Sequence, residues 1–154
     1  MSFSSNRFAD AALNQAQNYD RRHRKYIPFS ELLDTLRRHA AFDVPLRFVL
    51  DRDSESAGFF KRAPQWDFGT AGVRFEKGET ETGQPMLVVT WSADYPQKTL
   101  DEIVAELKGL GFEDGATIAI RLVSPSGESK QSRYGNDVKI DKDGTTIHFT
   151  GSWM

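Results

Sequence analysis

The chain has 154 residues, a formal net charge of −2 and no cysteine. That length fits one domain, which buries roughly 70% of its unfolded surface and so needs no covalent staple. The missing thiols exclude disulfides, thiolate zinc sites and cysteine nucleophiles.

Charge is uneven along the chain. Residues 1–50 carry eight Lys/Arg against five Asp/Glu, and the remainder carries 12 against 17. The opening run Met1 to Arg7 lacks the apolar stretch of a signal peptide, and no later run approaches a membrane span. The expectation is a cytoplasmic protein with no membrane partner.

Residues 6–20 place Phe8, Ala12, Ala16 and Tyr19 at helical spacing, a stripe of mostly alanine that would bury little. It runs into Arg21-Arg22-His23-Arg24-Lys25, so residues 1–25 read as a weakly attached helical arm and residues 26–154 as one α+β domain. Ser30 is a candidate helix N-cap, with Leu32, Leu33 and Leu36 on one face and Arg37, Arg38 and His39 in the last turn. Val44-Pro45 ends that helix.

At Leu46 the period changes from helical to two, and Leu46, Phe48 and Leu50 alternate as a half-buried strand. Phe59-Phe60 reads as a further short strand. Trp66, Phe68, Val73 and Phe75 follow, with Gly69 to Gly72 as a bulge or bend. Glu76 to Gln84 reads as a hairpin loop, and Met86 to Trp91 as the central strand. Thr99 and Glu102 have capping-box spacing and open a helix whose face is Leu100, Ile103, Val104, Leu107 and Leu110, with Asp101, Glu106 and Lys108 pointing away. Gly111 suits the left-handed position beyond its end. Ile118, Ile120 and Leu122 alternate, residues 128–136 read as a polar loop, and Lys142-Asp143-Gly144 joins Val138 and Ile140 to Ile147 and Phe149 as a hairpin. The expected fold is α+β: a mainly antiparallel sheet of about six strands, one central helix, and N-terminal helices packed on one face.

The usual nucleotide, hydrolase and metalloprotease motifs are missing. Asp67-Phe68-Gly69 matches the kinase magnesium motif by accident, because no catalytic loop accompanies it. Glu128 and Lys130 have the spacing of some metal-dependent nucleases but lie in the expected loop. Asp51 and Asp53, with Glu55 nearby, would offer oxygen ligands to a hard cation, or form an exposed acidic turn. No cofactor is expected.

His148 shares the outer face of the last strand with Thr146 and Thr150, and Arg133 and Tyr134 are candidate neighbours. A histidine on an open sheet face suits a small metal-independent ribonuclease; an ordinary exposed strand histidine reads the same way. Arg21, Arg22, Arg24 and Lys25, with Tyr19 and Tyr26, form a cation–aromatic set suited to nucleic acid.

The function favoured by sequence is a non-enzymatic protein-binding module, such as a bacterial or phage inhibitor or immunity-type neutraliser of a basic partner. Its expected contacts are Glu76, Glu79 and Glu81 in one loop, with Trp91, Asp94 and Tyr95 as aromatic anchors and rim. The alternative is the ribonuclease or nucleic-acid binder using His148 and the basic arm. A third reading is a structural subunit of an oligomer.

Overall fold

The computed structural model describes residues 24–52 and 64–154. The expected helix over 6–20, the strand at Phe59-Phe60, and Arg21, Arg22, Asp53 and Glu55 lie outside them. In chain order come β1 (Ile27–Pro28), α1 (Phe29–His39), β2 (Arg47–Asp51), β3 (Pro64–Trp66), β4 (Gly72–Glu79) and β5 (Pro85–Ser92). They are followed by α2 (Leu100–Gly109), β6 (Thr117–Val123), β7 (Ser129–Ile140) and β8 (Thr146–Trp153). The α+β class holds, with eight strands instead of about six among the described residues.

The strands lie in the order β3-β2-β8-β7-β6-β5-β4, and β1 pairs separately with the start of β6. Most neighbours are antiparallel, but β2 runs parallel to β8 and β5 parallel to β6. The second parallel pair follows from α2, because parallel neighbours need a crossover and a helix supplies it. No helix among the described residues is long and apolar enough to cross a membrane.

Alternation decides which side of each strand is buried. Phe48 and Leu50, Leu87, Val89 and Trp91, Ile118, Ile120 and Leu122, and Ile147 and Phe149 join Leu32, Leu36, Ile103 and Leu107 in one core. The sheet curls so far that its ends meet across that core. Phe48 of β2 and Phe75 of β4 pack edge to face with centroids 5.7 Å apart, as do Trp66 of β3 and Trp91 of β5 at 6.0 Å. The Trp91 indole N–H donates to the Phe48 carbonyl at 3.1 Å, and the Leu46 N–H donates to the Lys98 carbonyl at 2.9 Å. A single tryptophan therefore packs against both ends of the sheet.

Several local expectations change. Phe29 opens α1 with Pro28 in the cap position, and Ser30 makes no cap hydrogen bond. Proline suits this boundary because its fixed φ fits the entry to a helix. The 66–75 run is split: Trp66 ends β3 and Gly72 begins β4, which lie at opposite ends of the sheet. Between them Asp67 Oδ1 accepts the Gly69 N–H in a tight turn. Strand β4 continues to Glu79, so the connecting turn is shorter than expected.

Residues 129–140 form one long strand, extending the expected strand at Val138 and Ile140 back through the expected loop over 128–136. Its polarity has a structural cause. Ser132 is buried where β7 leaves β6, and its hydroxyl accepts the Ile120 N–H and donates to the Ile120 carbonyl. Buried Asn136 donates to the Ser152 carbonyl. Side chains there take the place of missing ladder partners, so apolar alternation fails.

Helix α2 follows its signals closely. The Thr99–Glu102 capping box forms, and Gly111 takes φ 80° just beyond the end. Glu106 is the exception, since its carboxylate turns inward to accept the Phe75 N–H on the edge of β4 and to pair with Lys98. An acceptor on an edge N–H blunts the edge against foreign strands.

Candidate functional site

The outer faces of β7 and β8, with Arg47 and Asp51 of β2 on either side of the buried Val49, form a small polar field around His148. The alternation that buries Ile147 and Phe149 sends Thr146, His148 and Thr150 outward. Across one ladder His148 is level with Lys139 of β7, and across the other with Val49 of β2. Thr150 is level with Asp137, and Thr146 with Arg47. Directly opposed residues in such a ladder have Cα atoms about 5 Å apart, close enough for Lys139 and His148 to share one ligand.

His148 Nδ1 lies 2.9 Å from Asp51 Oδ1, with the two side chains 27% and 32% exposed. A carboxylate can only accept, so a neutral His148 carries its proton on Nδ1 and donates it to Asp51. Nε2 then presents a lone pair, and it has no hydrogen-bond partner among the described residues. Asp51 would also stabilise the imidazolium formed once Nε2 takes a proton.

The other charges nearby are engaged. Asp137 pairs with Arg24 at 3.2 Å, and Arg47 pairs with Asp67 at 2.5 Å. Asp141 Oδ1 accepts the N–H groups of Thr145 and Thr146. Lys139 is exposed and has no ion pair among the described residues. Lys139 therefore offers a positive charge level with His148, beside the carboxylates of Asp51 and Asp141, which no cation offsets among the described residues. Among the described residues no three His, Asp or Glu side chains group to hold a metal.

The other expected sites are dispersed. Trp91 is only 1% exposed and belongs to the core, so it offers no surface to a partner. Its anchoring role is corrected by the sheet closure, which consumes both its ring and its N–H. Glu76, Glu79 and Glu81 are exposed, but Glu76 and Glu79 lie on β4, and Glu76 pairs with Arg74 at 3.3 Å. Asp94 and half-buried Tyr95 sit in the turn after β5, beside Gly72. That turn and Glu79 mark opposite ends of an eight-residue strand, which is roughly 24 Å at the usual rise. They do not form one patch.

Arg24 is held by Glu31, Asp137 and the Asn136 carbonyl, so its charge serves the fold. Lys25 is exposed beside the Tyr26 ring. Arg133 and Tyr134 stack on each other but are not neighbours of His148, because Tyr134 is level with Ser152, four residues further along β8. Lys130 lies over the Trp66 ring, apart from any carboxylate pair.

Lys139 was not singled out from sequence, though counting outward from the Lys142-Asp143-Gly144 turn puts it opposite His148. The Asp51–His148 pair needed the parallel β2–β8 ladder, which no local signal announces. Comparisons with protein families, with curated proteins and with solved structures find no match for this chain.

Proposed function

We propose that the protein is a small ribonuclease whose general base is His148 and which needs no metal for that step. The observation that supports this reading is the Nδ1 contact to Asp51, which leaves Nε2 free beside an unpaired lysine. In the proposed step His148 Nε2 takes the proton of an RNA 2′-hydroxyl, and the 2′-oxygen attacks the adjacent phosphorus. The bond from phosphorus to the 5′-oxygen breaks, and water protonates that oxygen. The imidazolium returns its proton to the hydroxide so formed, leaving a 2′,3′-cyclic phosphate and a 5′-hydroxyl. Lys139 stabilises the charge that grows on the phosphoryl oxygens. DNA lacks the attacking hydroxyl and is not cleaved.

The test is cleavage of a labelled uridine dinucleotide in the presence of a chelator. His148→Ala should abolish it, and Asp51→Asn should slow it by about 10²-fold or more, as loss of an oriented base does. Equal rates for all three proteins would sink the reading.

A second reading, the inhibitor or immunity-type module that binds a basic protein, draws support from exposed surface. Phe42 is 66% exposed, and with Leu100, Val104 and Arg37 it lines an open hollow of about 460 Å³. Glu79, Glu81 and Asp94 supply exposed carboxylates elsewhere. A partner isolated on the intact protein should be lost with Phe42→Ser and should associate more slowly as salt rises. A partner indifferent to both changes would count against this reading.

A further inference from the structure

Helix α2 carries a second stripe beside the one it buries. Asp101, Val104, Ala105 and Lys108 fall on one side at the helical period and line the open hollow of about 460 Å³ that Phe42 rims. Asp101, Ala105 and Lys108 are exposed, and Val104 is half-buried. The stripe is symmetric about its midpoint, with a carboxylate at one end, an ammonium at the other and two short apolar side chains between them. Asp101 and Lys108 stand about 10 Å apart along the axis, too far to pair with each other. One turn inward from either, where an opposite charge would stabilise the helix, there are only Val104 and Ala105. Neither charge has an ion pair among the described residues.

The other charges on this face nearly balance. Arg37 of α1 also lines the hollow, and with Lys108 it lines the adjoining one, beside Asp34 and Asp114. Two cations thus stand against three carboxylates over both hollows, and none of the five has an ion pair among the described residues. Such a mixed face exerts little pull on a strongly charged partner. What it has is order: Asp101 lies in the first turn of α2 and Lys108 in the last.

That order fits an identical copy related by a two-fold axis, where every contact is made twice. Two α2 helices laid antiparallel about the midpoint of the stripe bring Asp101 of each opposite Lys108 of the other, and Val104 opposite Ala105. The short central side chains let the helices approach closely, and antiparallel helix dipoles attract. Phe42, 66% exposed, stands at the edge of the hollow, where the opposing helix covers it.

We infer that the protein forms a two-fold homodimer through this stripe, held by reciprocal Asp101–Lys108 pairs around Val104, Ala105 and Phe42. The inference is independent of the ribonuclease reading, since His148 lies on the outer face of β8, and it competes with the second reading for Phe42. One helix of ten residues and one ring from each chain make a small interface, so the dimer is weak and concentration-dependent.

The experiment is sedimentation velocity on the full chain over a micromolar concentration series at low salt. The parent should move towards twice the monomer mass as concentration rises. Asp101→Lys and Lys108→Asp should each weaken self-association by about tenfold or more, because each change strikes two contacts. Mixing these two variants should restore association, since every mixed pair again joins opposite charges, and a folding defect in either would not be repaired by mixing. Phe42→Ser, a change at an exposed position, should weaken association without touching either charge. A parent that stays monomeric throughout the series overturns the inference. So does a mixture that associates no better than its components, or a Phe42→Ser protein that associates as strongly as the parent.

Discussion

Replacing Trp91 by phenylalanine tests whether the curled sheet is closed as described. The substitution keeps an aromatic ring among Trp66, Phe68 and Phe149, whose centroids lie 6.0, 5.6 and 6.1 Å away. It removes the N–H that satisfies the buried Phe48 carbonyl. An acceptor left unpaired in the interior costs about 1–3 kcal/mol. The lost ring atoms, counted as one or two methylene equivalents, add about 1–2 kcal/mol. The expected destabilisation is therefore about 2–5 kcal/mol, or about 4–20 °C in Tm for a domain of this size. Urea unfolding with an unchanged m-value is the assay, since a midpoint shift alone then reports stability. Tyr95→Phe is the control: its hydroxyl has no hydrogen bond among the described residues, so a change within about 0.5 kcal/mol is expected. A Trp91→Phe loss below about 1 kcal/mol would refute the closure argument.

Three further outcomes follow from backbone and capping. Gly151 has φ +106°, and an added Cβ would drive into the Gly135 carbonyl, so Gly151→Ala should cost about 3 kcal/mol or more or prevent folding. Gly109 in α2 has open space around it, and Gly109→Ala should stabilise by about 0.5–1 kcal/mol in the same urea assay; the reverse order would contradict the backbone geometry. Hydrogen bonds from the Thr99 N–H and hydroxyl hold the Glu102 carboxyl below its ordinary value. Its contribution is present above that ordinary value and is lost as pH falls through the lowered one. Glu102→Gln should flatten this part of the acid limb of a stability-against-pH curve, and an unchanged limb would show that the capping box carries no such linkage.

Legibility in the sequence followed how local the determining forces were. Helix α2 was readable because Thr99, Glu102 and Gly111 are short-range signals and its apolar face repeats four times. Strand β8 was readable because one face is buried and the other is not, which imprints alternation directly, while β2, β5 and β6 were readable from apolar runs in which Val49, Met86 and Ala119 are buried as well. The first part of strand β7, residues 129–136, was missed because its backbone is satisfied partly by Ser132 and Asn136, and polar side chains that complete a ladder look like loop residues. Strands β3 and β4 were merged because Trp66, Phe68, Val73 and Phe75 read as one alternating run with a bend in it. The Asp67–Gly69 turn between them sends the chain to the far end of the sheet, which periodicity cannot report. Glu106 was assigned to solvent by helical spacing, yet an unpaired N–H on β4 drew it inward.

The same distinction explains the candidate site. His148 was visible as an outward residue because Ile147 and Phe149 fix the phase of β8, and Lys139 was implicit in the hairpin that joins β7 to β8. Asp51 was visible too, but it drew attention as a partner for Asp53 instead of for a histidine 97 positions away. What brings it to His148 is the parallel ladder of β2 on β8, and that ladder depends on the curl which places the earliest long strand beside the last. The curl depends in turn on Trp91 bridging to Phe48. If that bridge fixes the β2 register, Trp91→Phe should loosen the Asp51–His148 contact as well as the fold. A histidine imaging experiment by NMR would read this directly: His148 in Trp91→Phe should show more even occupancy of its two neutral tautomers than in the parent protein. A His148 tautomer ratio unchanged by Trp91→Phe would mean that the dyad is held by the β2–β8 ladder alone, independent of sheet closure.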